Sequence, residues 1–184
     1  TSAWSTTASA TSSEFECEGF LTEVQEAGFR YFYNYAYPGS HLPREGIKAK
    51  KSWHPKLMSV VSTGMYFFNI AVGIERGFIS RVEGASHVEI LLNFLHERVE
   101  RFYGAYPHWI DGDSGKVRPF SSTDNGADLV ESGIVAEGLI FAREYFSQDT
   151  TTESNIRKVS DKLWKEIQWN KFIQNPQTPD QVLI

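Results

Sequence analysis

The sequence predicts an all-α protein made of antiparallel helix pairs, and three observations lead there. Ser/Thr–x–x–Glu spacings that suit a helix start occur at Ser13/Glu16, Ser80/Glu83 and Thr150/Glu153. Apolar residues recur at helical intervals behind each of them. No segment alternates apolar and polar residues between turn signals in the manner of a half-buried strand.

Taken in order, residues 1–13 are mostly Ser, Thr and Ala without charge and are expected to form a disordered tail. A first helix follows Ser13, with Phe20, Val24, Ala27, Tyr31 and Tyr35 in helical period, and Pro38-Gly39 ends it. The prolines and charges of 40–56 mark a loop. A second helix is expected from Leu57 to Arg76, closed by Gly77. Its stretch Leu57–Ile74 carries no charge and reaches transmembrane length. Ser59, Ser62, Thr63, Gly64, Asn69 and Gly73 within it favour a helix buried among other helices. A third helix opens at Ser80 and buries Val88, Leu91, Leu92, Leu95 and Val99. After a long loop, 102–123, a fourth helix covers 125–146. The fifth, after Thr150, carries Ile156, Val159, Leu163 and Ile167. The last stretch, 170–184, has two prolines and ends without a helix cap, like an interrupted element. One globular unit over 14–184 accounts for the whole pattern.

Composition narrows the function. The 184 residues include 13 Phe, eight Tyr and five Trp, a load that suits either core packing or flat ligands such as sugar rings. A net charge of −5 argues against nucleic acid, which calls for a basic stripe. Cys17 is the single cysteine, so no internal disulfide can form. The uncharged N-terminal stretch resembles the start of a mature secreted or periplasmic protein.

Asp124, Asp128 and Glu131, in SSTDNGADLVESG, are spaced to share one stripe of the expected fourth helix. Like charges so placed repel by roughly 0.2–0.5 kcal/mol per pair, so stability does not select them. Asp124 and Asp128 lie near the helix start, where capping and the helix dipole favour the charged form. Glu131 lies deeper, where desolvation raises a carboxyl pKa. The structural alternatives are a cap for Asp124 and a buried ion pair for Glu131.

The preceding loop gathers Tyr103, Tyr106, His108, Trp109, Asp111, Asp113 and Arg118. Aromatic platforms flanked by carboxylates and guanidinium groups bind pyranose rings; the same aromatics could instead plug the core. DGDSG fails the EF-hand pattern at Gly115, Lys116 and Ser122, which leaves an irregular calcium loop or a plain turn. Arg44-Glu45 forms either a site-edge pair or a solvated one. His41, His54, His87 and His96 lack metal-ligand spacing.

Several segments resemble the glucoamylase-like glycoside hydrolases, whose characterised members are bacterial endo-β-1,2-glucanases and related β-1,2-glucan-degrading enzymes. They are FLTEVQEAGFRYFYNYAYPGSHLPRE, NIAVGIERGFISRVEG, GLIFAREYFSQD and, above all, YPHWIDGDSGKVRPFSSTDNGADLVESG. The resemblance implies the N-terminal half of an (α/α)6 toroid and inverting hydrolysis of β-1,2-glucan without a metal cofactor. Asp124, Asp128 and Glu131 then match cleft carboxylates, and Tyr106, His108, Trp109 and Arg118 match a sugar-lined loop; Asp111 and Arg44 join them as candidate substrate contacts. The family continues into a Trp-rich segment with a further glutamate, and SVVSTGMYFFNIAVG is bulkier than the family pattern. A non-catalytic carbohydrate-binding protein and a plain helical interaction domain are the alternatives.

Overall fold

The computed structural model describes residues 17–46 and 55–173. The expected 1–13 tail, the Ser13/Glu16 cap, His54 and most of the last stretch lie outside them. Five α-helices form: α1 (Cys17–Asn34), α2 (Val60–Glu75), α3 (Arg81–Glu97), α4 (Leu129–Tyr145) and α5 (Thr151–Lys165). A short 3-10 helix, Trp169–Phe172, follows.

The punctuation read from the sequence is largely present. Ser80 and Glu83 form a reciprocal capping box at α3. Thr150 Oγ1 accepts from the Glu153 N–H, but the Glu153 carboxylate turns elsewhere, to Arg81. Gly77 takes φ +72 behind α2, a left-handed cap that glycine adopts without strain.

Three expectations are corrected. Residues Leu57–Ser59 are a strand, β1, so α2 starts at Val60. Together with β2 (Trp109–Asp111) and β3 (Val117–Arg118), β1 makes an antiparallel three-stranded sheet in the order β1-β2-β3. Strands of two or three residues, buried along β1, offer no alternation to read. In α1, Phe20, Val24 and Ala27 face outward, and Phe29, 1% exposed, is the residue that enters the core. The expected faces of α3 and α5 are buried as read.

The helices form two layers. α2 packs chiefly on α4, while α1, α3 and α5 lie outside them: α1 against α2, α3 against α2 and α5, and α5 against α4. Contacts along α2 and α4 advance in the same direction. The Val61 N–H meets Glu131, the Phe68 and Phe141 rings lie 4.4 Å apart, and Tyr145 Oη donates to Glu75 at 2.7 Å. The two inner helices are therefore parallel, with both N-termini at one end. Their approach is close because Gly64 and Gly138 face the crossing; a Cβ on Gly64 would fall 2.5 Å from the Ile134 carbonyl oxygen.

The other end of the layers is pinned by Arg81. Its guanidinium donates from Nε and Nη2 to Glu153 at 2.7 and 2.9 Å, and from Nη2 to the Tyr145 carbonyl at 2.8 Å. Glu153 is 2% exposed, so this bidentate pair keeps a buried charge from standing alone. No helix among the described residues is long and apolar enough to cross a membrane.

Candidate active site

The N-terminal ends of α2 and α4 converge where the small sheet ends. Asp128 is the N-cap of α4, and its Oδ1 accepts the N–H groups of Val130 and Glu131 at 2.9 and 3.0 Å. The backbone here is tied to the long loop. The Asp128 N–H donates to the Tyr106 carbonyl at 2.8 Å, and Ser132 Oγ accepts from the Tyr106 N–H at 2.8 Å.

That tie brings His108 over the carboxylates. Its Nδ1 donates to Asp128 Oδ2 at 3.0 Å and lies 3.5 Å from Glu131 Oε1. Glu131 Oε2 accepts the backbone N–H of Val61, in the first turn of α2. One histidine nitrogen and two helix N-termini thus hold a pair of carboxyl groups.

The two carboxyl groups are driven apart electrostatically. Burial raises the pKa of Glu131; the neighbouring Asp128 and Glu45 charges add to that, and His108 and the Val61 N–H only partly oppose it. At Asp128 burial also acts upward, but the Glu131 N–H, the His108 ring and the Val130 N–H outweigh it and hold the group below the usual aspartate value. Asp128 is therefore the more readily ionised member, and Glu131 holds its proton to higher pH than Asp128 does. This is the pattern of a site that separates base and acid roles by environment.

The remaining candidates divide. Asp124 does not share the stripe. It sits before α4, in a turn where its carbonyl accepts from the Phe120 and Ser121 N–H groups, because the helix starts at Leu129 instead of 125. Tyr106 is fully buried, so it packs the core and cannot touch a sugar; burial pushes its hydroxyl up to about 12. Trp109 and His108 form an aromatic group with Phe120, at ring distances of 4.8 Å and 4.6 Å to Phe120. Phe120 is 52% exposed and escaped the sequence reading, for it is one apolar residue in a polar loop.

Asp111 braces its own loop. Its Oδ1 accepts the N–H groups of Asp113 and Ser114 at 3.1 and 2.9 Å, and Oδ2 takes Arg118 at 2.7 Å. Burial opposes its ionisation, yet these donors lower its pKa to about 2. DGDSG is thus a self-satisfied turn, with Gly115 at φ +71. The Arg44 side chain donates to the Tyr35 carbonyl at 3.1 Å and to the Pro55 carbonyl, and lies over the Tyr37 ring. Its backbone bridges Met58 at the sheet edge, on the far side of β1 from β2.

His108, Asp128 and Glu131 also offer one ligand atom each within 4.8 Å of one another, the spacing of a metal site. Both Asp128 oxygens and Glu131 Oε2 already accept hydrogen bonds, and His108 Nδ1 supplies one of them. The three groups are thus linked to one another as a hydrogen-bonded cluster.

Comparison with known proteins finds this chain similar to parts of glycoside hydrolases. No family model matches the chain. It is 41% identical over 176 residues to the exo β-1,2-glucooligosaccharide sophorohydrolase (non-reducing end) of Parabacteroides distasonis, covering 95% of this chain and 24% of that protein. Among solved structures, a protein assigned as a glucoamylase from Bacteroides uniformis superposes with a TM-score of 0.83 at 36% identity, covering 90% of this chain and 39% of that one. The endo-β-1,2-glucanase of Chitinophaga pinensis, in complex with sophorotriose and glucose, gives 0.79 at 34% identity over 86% of this chain and 38% of that one. The chain is thus similar to the glucoamylase-like glycoside hydrolases, as its motifs implied, and it spans between about a quarter and two fifths of these relatives.

Proposed function

We propose that this chain supplies one wall of the cleft of an inverting hydrolase acting on β-1,2-glucan or a related β-glucan. The observation that carries the reading is the clustering of Asp128 and Glu131 about His108 Nδ1, at 3.0 and 3.5 Å, at the shared N-terminal end of α2 and α4, where their surroundings push the two pKa values in opposite directions. Asp128 orients the His108 ring, and Glu131, the weaker acid of the two, faces the sugar oxygens. Trp109 and Phe120 offer ring faces to the C–H side of a glucose unit. The kinship with β-1,2-glucan hydrolases supplies the substrate class.

Inversion places an acid and a base-held water on opposite faces of the bond, with carboxyl groups roughly 6.5–9.5 Å apart. Asp128 and Glu131 offer oxygens within 4.8 Å, too close to flank a sugar and a water. They form one side, and the opposing carboxylate belongs to sequence beyond the described residues. Hence the 184 residues alone are expected to show negligible turnover. The test is reducing-sugar release from linear β-1,2-glucan, with the anomer followed by NMR, for the protein at full natural length and for its Glu131→Gln variant. Release of the inverted anomer by the parent, abolished in the variant, supports the reading. Turnover by the variant at the parental rate refutes it.

The incomplete pair also favours a second reading, a carbohydrate-binding protein on the same fold. Glucan affinity without any hydrolysis by the full-length protein would select it. A secreted or periplasmic location fits a polymeric glucan substrate and is part of the proposal.

A further inference from the structure

Away from His108, the hairpin that enters the long loop makes an unusual residue choice. Phe102 and Ala105 exchange both backbone hydrogen bonds, at 2.8 and 2.9 Å, around the two-residue turn Tyr103-Gly104. Both turn residues have positive φ, +49 for Tyr103 and +82 for Gly104. Such a turn selects Asn, Asp or Gly at each position. Gly104 obeys this, and it must, because a Cβ there would strike the Glu166 carbonyl oxygen. Tyr103 does not: a bulky side chain in the left-handed region is strained. Nor does burial explain it, since the residue is 60% exposed.

The surroundings resemble a ligand site. The Tyr103 carbonyl accepts the Gln168 N–H at 2.9 Å, which fixes the turn to the segment after α5. Beside the turn opens a cavity of about 590 Å³, lined by Arg101, Gly104, Lys165, Glu166 and Gln168 among others. Arg101 and Glu166 are paired there at 2.9 Å. Trp169, 43% exposed, lies one residue beyond Gln168. Among the described residues, Tyr103 meets the Phe172 ring edge-on at 6.1 Å and the Lys171 ammonium at 5.9 Å from its centroid.

We propose that Tyr103 and this cavity form a second saccharide contact that grips a glucan chain outside the Asp128–Glu131 cluster. The proposal rests on the glucan reading above for its ligand class. An exposed phenol ring, one residue from Gly104 in the cavity lining, together with the guanidinium, carboxylate, amide and ammonium groups of that lining, matches the apolar face and hydroxyl edge of a pyranose. The strained backbone is retained because the ring is used.

Tyr103→Asn tests this without damage to the turn, because Asn tolerates the left-handed region better than Tyr. In the full-length protein the variant should keep or raise the Tm. It should keep the parental rate on short β-1,2-glucooligosaccharides and lose about fivefold or more in affinity for linear β-1,2-glucan polymer, measured by calorimetry. Unchanged polymer affinity, in a parent that hydrolyses glucan, overturns this inference alone. A lower Tm with unchanged affinity shows that the ring is structural and likewise overturns it. A parent that neither binds nor cleaves the glucan overturns this inference and the proposed function together.

Discussion

Gly64 and Gly138 meet across the α2–α4 crossing, where a Cβ on Gly138 would collide with the Gly64 carbonyl oxygen. This contact sets how far the Val61 N–H stands from the Glu131 carboxylate. Gly64→Ala or Gly138→Ala should cost about 1–3 kcal/mol by overpacking. For a chain of this size that is a Tm lower by about 3–10 °C, read by calorimetry. Parental stability in either variant would mean that the crossing is looser than described.

Glu131→Gln should stabilise the fold at neutral pH. The folded pKa of Glu131 is raised above its ordinary 4.5, chiefly by burial. Its favourable contribution is therefore fully present below that value and lost as pH rises through the folded pKa. A glutamine lacks the penalty of an ionised buried carboxylate. The variant's Tm should exceed the parent's at pH 7, and the gap should close below about pH 4.5.

Asp128 can be divided into its two roles. Asp128→Ala removes a helix cap and should cost about 1 kcal/mol. Asp128→Asn keeps the cap and removes the charge that faces His108. Urea unfolding of the Asn variant should show a smaller loss than the Ala variant, because the cap survives and only the charge is gone, while glucan turnover of the full-length variant falls by about 100-fold or more. A parental rate would confine Asp128 to structure.

His41 and His87 make a second pH signal with the opposite sign. Their rings lie 4.1 Å apart, between the loop after α1 and α3, with Tyr33 stacked on His87 at 4.4 Å. Burial lowers His41; burial and then the His41 charge lower His87 to about 4, and Glu83 opposes only in part. The unfolded chain binds these protons first, so the stability is intact above the ordinary 6.5 and is lost as pH falls toward 4. His87→Gln should flatten this part of a Tm-versus-pH curve. An unaltered slope would exclude the pair.

Much of this was legible in the chain because helix starts are local chemistry. Ser80/Glu83 and Thr150 cap the helices that their spacing announces, and the apolar periods of α3 and α5 point inward. The same logic, applied to Asp128 and Glu131, would have placed the α4 cap at Asp128, since the two are three residues apart. Reading the helix from 125 instead put Asp124 on a stripe it does not occupy. The sheet was hidden for another reason: Leu57–Ser59 is apolar and short, and only its long-range partner Trp109–Asp111 makes it a strand. Tyr106 looked like a ligand contact by type, and the packing of the loop against Ser132, which no local signal records, decided otherwise.

Ser59 is both the last rung of the ribbon, opposite Trp109, and the residue whose hydroxyl accepts a free amide of the first turn of α2, that of Ser62. No spacer separates ladder from helix. A slip of one position between 57–59 and 109–111 would turn Ile110 outward and rotate the start of α2 about its axis. The carboxylate pair is thus gauged by a ruler three rungs long, and it assembles only after residues some fifty positions apart have found their correct alignment.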